Sequence, residues 1–247
     1  MIIDAHTHID RYTDHLHDAL QQIRAHRILS LSVAMDIESY QKNMEIAEHC
    51  EYIKPIFGIH PWEAHKYSGN LSLLDKYLIQ TPMIGESGLD FRFIKDVNLY
   101  KDQRQVFEYQ CKWASELNKG MNLHTVGAEK EVLDMLTYYN IRNSIVHWYS
   151  GPDNLIKRYI DQACYFTVGI EITVSEEKRN FLKKIPIDRL LLETDNPGGY
   201  EWLTKEIGMP NLIFDVLEKT ARILKMDSDI LENQIYNNWK KLMISEK

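Results

Sequence analysis

The sequence predicts an α/β fold, a (β/α)8 TIM barrel with additional helices at its C-terminal end. Apolar, β-rich runs alternate with amphipathic helical patterns along the whole chain, and strand–helix–strand order enforces parallel neighbours. The apolar runs lack clean polar alternation, as strands buried on both faces must. The length of 247 residues suits one such barrel, a class of roughly 250 residues.

The first strand is expected at residues 1–6, where Met1-Ile2-Ile3 leads into His6 and His8, and an amphipathic segment from Asp14 to His26 follows it. Residues 28–35 supply a second strand and Ile37 to Cys50 the next helix. The third run, 53–59, ends at His60. The fourth, 82–86, ends at Glu86, and a helical pattern from Asn98 to Asn118 leads to the fifth at 120–124, which ends at His124. A helix from Glu129 to Tyr139 precedes the sixth run, 143–147, closed by His147. Asp153 to Asp161 is helical, 164–170 is the seventh strand, and 189–194 is the eighth, running into Asp195. Pro197-Gly198-Gly199 then reads as a loop. Two further helices, about 211–224 and 227–243, would cover the exterior, and Pro210 with Asn211 marks the start of the first. With no linker, repeat or low-complexity tract, one domain is expected over 1–247.

A 44% apolar fraction is ample for a core. The formal charge of −7 argues against indiscriminate affinity for polyanions, so a nucleic-acid substrate would be held locally. Cys50, Cys111 and Cys164 are scattered in no metal-binding spacing and read as buried small hydrophobes in a reducing cytosol. No basic-then-apolar leader precedes the first strand, and no stretch is long enough to span a bilayer. The expectation is a cytoplasmic protein with no membrane partner.

The chemistry-bearing residues sit where strands end. In a closed parallel barrel, each strand delivers a residue or two to one mouth. His6 and His8, at i and i+2 of a strand, share a face and can point at one ion. His15 and His17 make a useful control, because the same spacing on a helix diverges. Glu86, flanked by Gly85 and Gly88, would be costly to bury unpaired; a bridging place between two cations removes that cost. Asp90 is a candidate for orienting its loop or a ligand from behind. His124 and His147 are each weak signals singly and read as ligands only as a set with the His-x-His start. Asp195 is placed to touch a metal and take a proton from water. Glu193, two residues earlier on the same face, suits a partner for a ligating histidine.

These residues, in this order, resemble the TatD family of metal-dependent hydrolases, among the amidohydrolase-like barrels. The matching stretches are Ile3-Asp4-Ala5-His6-Thr7-His8-Ile9-Asp10, Gly58-Ile59-His60-Pro61-Trp62 and Ile84-Gly85-Glu86-Ser87-Gly88-Leu89-Asp90-Phe91. Gln103, Phe107 and Gln110 match within the fourth helix, as do Val146-His147-Trp148-Tyr149-Ser150-Gly151 and Leu191-Leu192-Glu193-Thr194-Asp195-Asn196-Pro197. The resemblance implies a divalent-metal DNase, often acting from a 3′ end. It implies His6, His8, Glu86, His124, His147 and Asp195 as metal ligands, and His60 on the substrate side. One departure stands out: members usually continue His-x-Arg at strand five, whereas this chain reads His124-Thr125-Val126. The absent arginine would otherwise contact a phosphate bidentately. Trp148 stands where a smaller residue is common.

The expected reaction is phosphodiester hydrolysis with Glu86 and Asp195 as the catalytic carboxylates and two divalent ions, Zn²⁺, Mn²⁺ or Mg²⁺. Imidazole with carboxylate favours the first two, since Mg²⁺ prefers oxygen alone. DNA is the expected substrate. His60, Trp62, Arg92 and Trp148 are its expected contacts, the aromatics by base stacking and Arg92, with Arg11 and Lys66, as a candidate replacement for the absent arginine. Two other functions fit the sequence: a barrel hydrolase cleaving a small ester, amide, lactone or phosphoester, and a non-catalytic subunit of a larger complex.

Overall fold

In a computed structural model, which describes residues 1–244, eight strands alternate with helices. The last three positions of the expected domain, 245–247, lie outside the described residues. The first half contains β1 (Ile3–Thr7), α1 (Leu16–His26), β2 (Leu29–Val33), α2 (Ile37–Glu48) and β3 (Ile53–Ile56). It continues through α3 (Asp75–Gln80), β4 (Ile84–Gly88), α4 (Tyr100–Glu116), β5 (Met121–His124) and α5 (Glu129–Tyr138). Then come β6 (Ile145–Val146), α6 (Ile156–Asp161), β7 (Tyr165–Val168), α7 (Glu176–Leu182) and β8 (Leu190–Leu192). The chain ends in α8 (Gly198–Thr204), α9 (Leu212–Leu224) and α10 (Ser228–Ile244). No helix among the described residues is long and apolar enough to cross a membrane.

Contacts divide the chain into two compact units, one of Met1–Ser32, Lys42–Pro55 and Phe166–Ile244, the other of Val33–Gln41 and Ile56–Tyr165. In the first unit β1 pairs in parallel with β2, and β7 with β8. The segment that follows β8 bonds to the end of β1: Asp195 N donates to His6 O at 2.9 Å and His8 N to Asn196 O at 2.8 Å. α10 packs on β1 and β8, where the Asn238 amide donates to the Ile187 and Leu190 carbonyls at 2.7 and 2.8 Å. A cluster of Ile9, Tyr12, Ala19, Ile23, Ile46, Cys50 and Ile53 fastens α1 and α2 to this side.

In the second unit β4, β5 and β6 run parallel. Gly88, paired with His124 in this register, has a φ of +149°, and a Cβ there would collide with the His124 carbonyl. Glycine is what lets β4 close on β5 at the level of the candidate ligands. Buried Gln110 of α4 clamps the third segment, accepting from Ile59 N at 2.8 Å and donating to Ile59 O at 3.2 Å.

The structure corrects the reading of residues 197–199. α8 begins at Gly198, with Pro197 already at helical angles (φ −76°, ψ −19°). A proline's fixed φ is pre-set for a helix start, where its missing N–H costs nothing, so the glycines enter the first turn instead of a loop. Short helices α3 and α7 also fill connections for which the pattern gave no helix, since six or seven residues carry too few turns for a period. The three cysteines are free and buried.

Candidate metal centre

In the first unit, β1 carries His6 and the chain just beyond it carries His8, both buried, with ring centroids 5.3 Å apart at 78°. Backbone bonds between the end of β1 and the segment after β8 set Asp195 opposite them. Asp195 Oδ1 stands 3.6 Å from His6 Nε2 and 3.4 Å from His8 Nε2, and one donor atom from each residue lies within 4.8 Å of the others. Asp195 takes φ +52°, a left-handed turn that short polar side chains tolerate best. Its side chain is 19% exposed, so water reaches it.

Asp4, a residue without a marked place in the sequence pattern, braces this group. Its Oδ1 accepts from Thr194 N at 3.0 Å, and its Oδ2 from the Thr194 hydroxyl at 2.6 Å, tying β1 to the segment that presents Asp195. Burial raises its carboxyl to about 7 despite the opposing bonds from Thr194. Glu193 is buried with its amide on Val168 O at 3.0 Å. Burial first, and then the Glu193 charge, raises Glu171 to about 7.

In the second unit three imidazoles converge on one oxygen. Glu86 Oε1 lies 2.9 Å from His124 Nδ1, 3.4 Å from His60 Nε2 and 3.5 Å from His147 Nε2. All four side chains are buried. His60, expected on the substrate side, stands in this donor group with Glu86 and His124. The other His124 nitrogen bonds Asp90 Oδ2 at 3.1 Å. Burial opposes a charge on His124, but Asp90 and Glu86 outweigh it and raise the imidazole to about 9. Burial likewise opposes ionisation of Asp90, and bonds from His124 and Trp62 overcome it, holding that carboxyl below its ordinary range.

The remaining predicted contacts fall in the same unit. Trp62 Nε1 donates to Asp90 Oδ2 at 2.7 Å. The Arg92 guanidinium bonds Ser150 Oγ at 3.2 Å and lies 3.8 Å from Glu129. Trp148 takes φ +41°, and its ring meets that of His147 edge-on, 6.2 Å between centroids. Phe91 N donates to Val126 O at 2.9 Å, which lays the Arg92 loop against the strand-five segment that lacks an arginine. Lys66 pairs with Glu63. The control histidine His17 is exposed on α1 and bonds Gln21 at 3.0 Å. Both donor groups join imidazole nitrogen to carboxylate oxygen, a set that fits Zn²⁺ or Mn²⁺.

A family model described as TatD related DNase matches residues 3–243. An uncharacterized metal-dependent hydrolase, YabD of Bacillus subtilis, is 26% identical over 98% of both chains. A protein of Pantoea ananatis named 3'-5' ssDNA/RNA exonuclease TatD is 26% identical over 83% of this chain and 84% of its own. Among solved structures, the TatD homolog YjjV of Escherichia coli superposes with a TM-score of 0.88 at 22% identity, over 98% of this chain and 97% of that one. An uncharacterized TIM-barrel protein of Bordetella bronchiseptica gives a TM-score of 0.59 at 12% identity, over 99% of each. The fold class is the TIM barrel that the strand–helix alternation predicts.

Proposed function

We propose that this chain, which belongs to the TatD-related DNase family, is a divalent-metal-dependent hydrolase that cleaves phosphodiester bonds of DNA as an exonuclease. The observation that carries the reading is the convergence of imidazoles on carboxylate oxygens, two near Asp195 Oδ1 and three near Glu86 Oε1. The proposed ligands are His6, His8 and Asp195 for one ion, and Glu86, His124 and His147, with His60 beside them, for a second. Zn²⁺ and Mn²⁺ suit this donor set best. Such ions supply Lewis acidity, drawing charge from a phosphoryl oxygen and making water acidic enough to attack at neutral pH.

The chain's own groups do the rest. Asp195, partly open to solvent, accepts the proton of the attacking water. Asp4 fixes the segment that carries it, through Thr194. Asp90 orients His124 from behind, the usual part of a carboxylate against a ligating imidazole, and we assign Glu193 the same kind of supporting place toward a ligating histidine of the first group. Trp62, Trp148 and Arg92 hold the strand, the aromatics by stacking and Arg92 at phosphate. We take residues 1–247 as one functional domain. A cytoplasmic setting fits three buried free thiols.

The test is cleavage of labelled single-stranded DNA by protein purified without chelator, with Mn²⁺, Zn²⁺ or Mg²⁺ added back after chelation. Metal-dependent shortening of the strand supports the reading. Turnover of a small ester or amide with no cleavage of DNA would replace it.

A further inference from the structure

We infer that Trp62 and Phe93 form a corner that seats the terminal nucleobase of the substrate strand, with Arg92 at its phosphate. The inference rests on the nuclease reading and names a specificity residue, Phe93, that the reading lacks. The two rings stand nearly perpendicular, at 79°, with centroids 6.3 Å apart. Both are at the surface: Trp62 is 40% exposed and Phe93 52%. A flat base lying on one ring meets the other with its edge, the T-shaped contact that aromatic quadrupoles favour.

The corner is built, not incidental. One buried carboxylate, Asp90, holds both sides of it. Asp90 Oδ2 takes the Trp62 indole N–H at 2.7 Å, and Oδ1 takes the backbone N–H of Phe93 at 2.7 Å and of Arg92 at 2.9 Å. Asp90 is itself fixed by Gln103, which accepts from its amide at 2.8 Å and donates to its carbonyl at 3.1 Å. Tyr100 pins the far side of the loop, its hydroxyl donating to Phe91 O and Ile94 O at 3.1 and 3.0 Å. The fourth bond of the Asp90 carboxylate goes to His124, so the corner stands at a fixed distance from a proposed metal ligand. The half-exposed Arg92 side chain, next to Phe93 in the chain and held by Ser150 Oγ at 3.2 Å and Glu129 at 3.8 Å, supplies the cation assigned to the phosphate. The Trp62 ring is fixed by its own N–H bond and the Phe93 backbone by its amide, so less freedom is lost on binding.

The test uses the metal-loaded protein and two labelled oligothymidylates, one ordinary and one with abasic nucleotides at both ends, read by equilibrium binding and by KM. Base–aromatic stacking contributes roughly 1–3 kcal/mol per base, and the lower end of that range suits a rim site. Phe93→Ala is therefore expected to weaken the ordinary strand about tenfold and to leave the abasic strand unchanged. Phe93→Tyr is expected to restore the ordinary strand. Equal weakening of both strands by Phe93→Ala, or none of the ordinary one, overturns the corner while a cleaving wild type leaves the nuclease reading intact. A wild type that neither binds nor cleaves either strand overturns both.

Discussion

The two donor groups use the same atom types but are held in different ways. In the first unit backbone bonds between β1 and the segment after β8, with the Asp4 bonds to Thr194 below them, place His6, His8 and Asp195, and the carboxylate oxygen stands 3.4–3.6 Å from the imidazoles. In the second unit side chains do it. His124 is strung between Glu86 at 2.9 Å and Asp90 at 3.1 Å, and its raised affinity for a proton, to about 9, lets that proton do part of a cation's work. The second group is therefore the one in which proton and metal compete most directly, at His124.

The largest effect should fall on the second group. Glu86→Ala removes the oxygen on which three imidazoles converge, and we expect it to lose metal and most activity while far-UV circular dichroism stays that of the wild type. Metal content on the same sample also reports the bridging place the sequence suggests for Glu86, by whether the loss exceeds one ion. Unchanged stoichiometry would remove Glu86 from the ligand set.

Asp195→Asn probes the first group by changing one atom type while the backbone register persists. The amide still reaches a metal through its oxygen but cannot take a proton, and general-base help is worth about 10²–10⁴-fold. Turnover should fall by that order with most metal retained. Wild-type turnover at full occupancy would take Asp195 out of the mechanism.

The proton on His124 gives the comparison a pH signature. Its folded-state value is raised from 6.5 to about 9, so its contribution to the metal-free fold is complete below about 6.5 and lost as pH rises through about 9. Metal-free protein should lose thermal stability across that window, and metal affinity should rise across it. A His124→Gln variant whose stability still falls in parallel with the wild type would show that the proton sits elsewhere.

A smaller effect belongs to the first unit away from its donors. Glu171 is raised from 4.5 to about 7 by burial and by Glu193, so its protonated form favours the fold below about 4.5 and that advantage disappears as pH passes through 7. Glu171→Gln mimics the neutral form and should raise Tm by a few degrees at pH 9, since about 1 kcal/mol moves Tm roughly 2–4 °C in a chain of this size. Below about pH 4.5 the two proteins should melt alike. The smallest effect is expected of His15→Ala with His17→Ala, which should leave activity unchanged. A loss like that of His6→Ala would mean the wrong histidine pair was singled out.

Much of the fold was legible because eight apolar runs with helical patterns between them leave few parallel arrangements. The positions of His6, His8, Glu86, His124, His147 and Asp195 were legible because each closes an apolar run. What joins them was not. Asp4 lies inside the first run and looked like part of the strand, and its bonds to Thr194 cross 190 residues of chain. Asp90 collects Trp62, His124 and the amides of its own loop, a convergence set by folding rather than by spacing. The positive φ of Trp148 has no sequence marker at all, since neither glycine nor asparagine announces it.

The most direct test is a titration of chelator-stripped protein with Mn²⁺ or Zn²⁺, following bound metal and cleavage of labelled single-stranded DNA together. Stripped protein should show no cleavage, and activity should return in step with occupancy of two sites, with His8→Ala and His124→Ala each losing one of them. Full cleavage by stripped protein, or metal uptake unchanged in both variants, would contradict it.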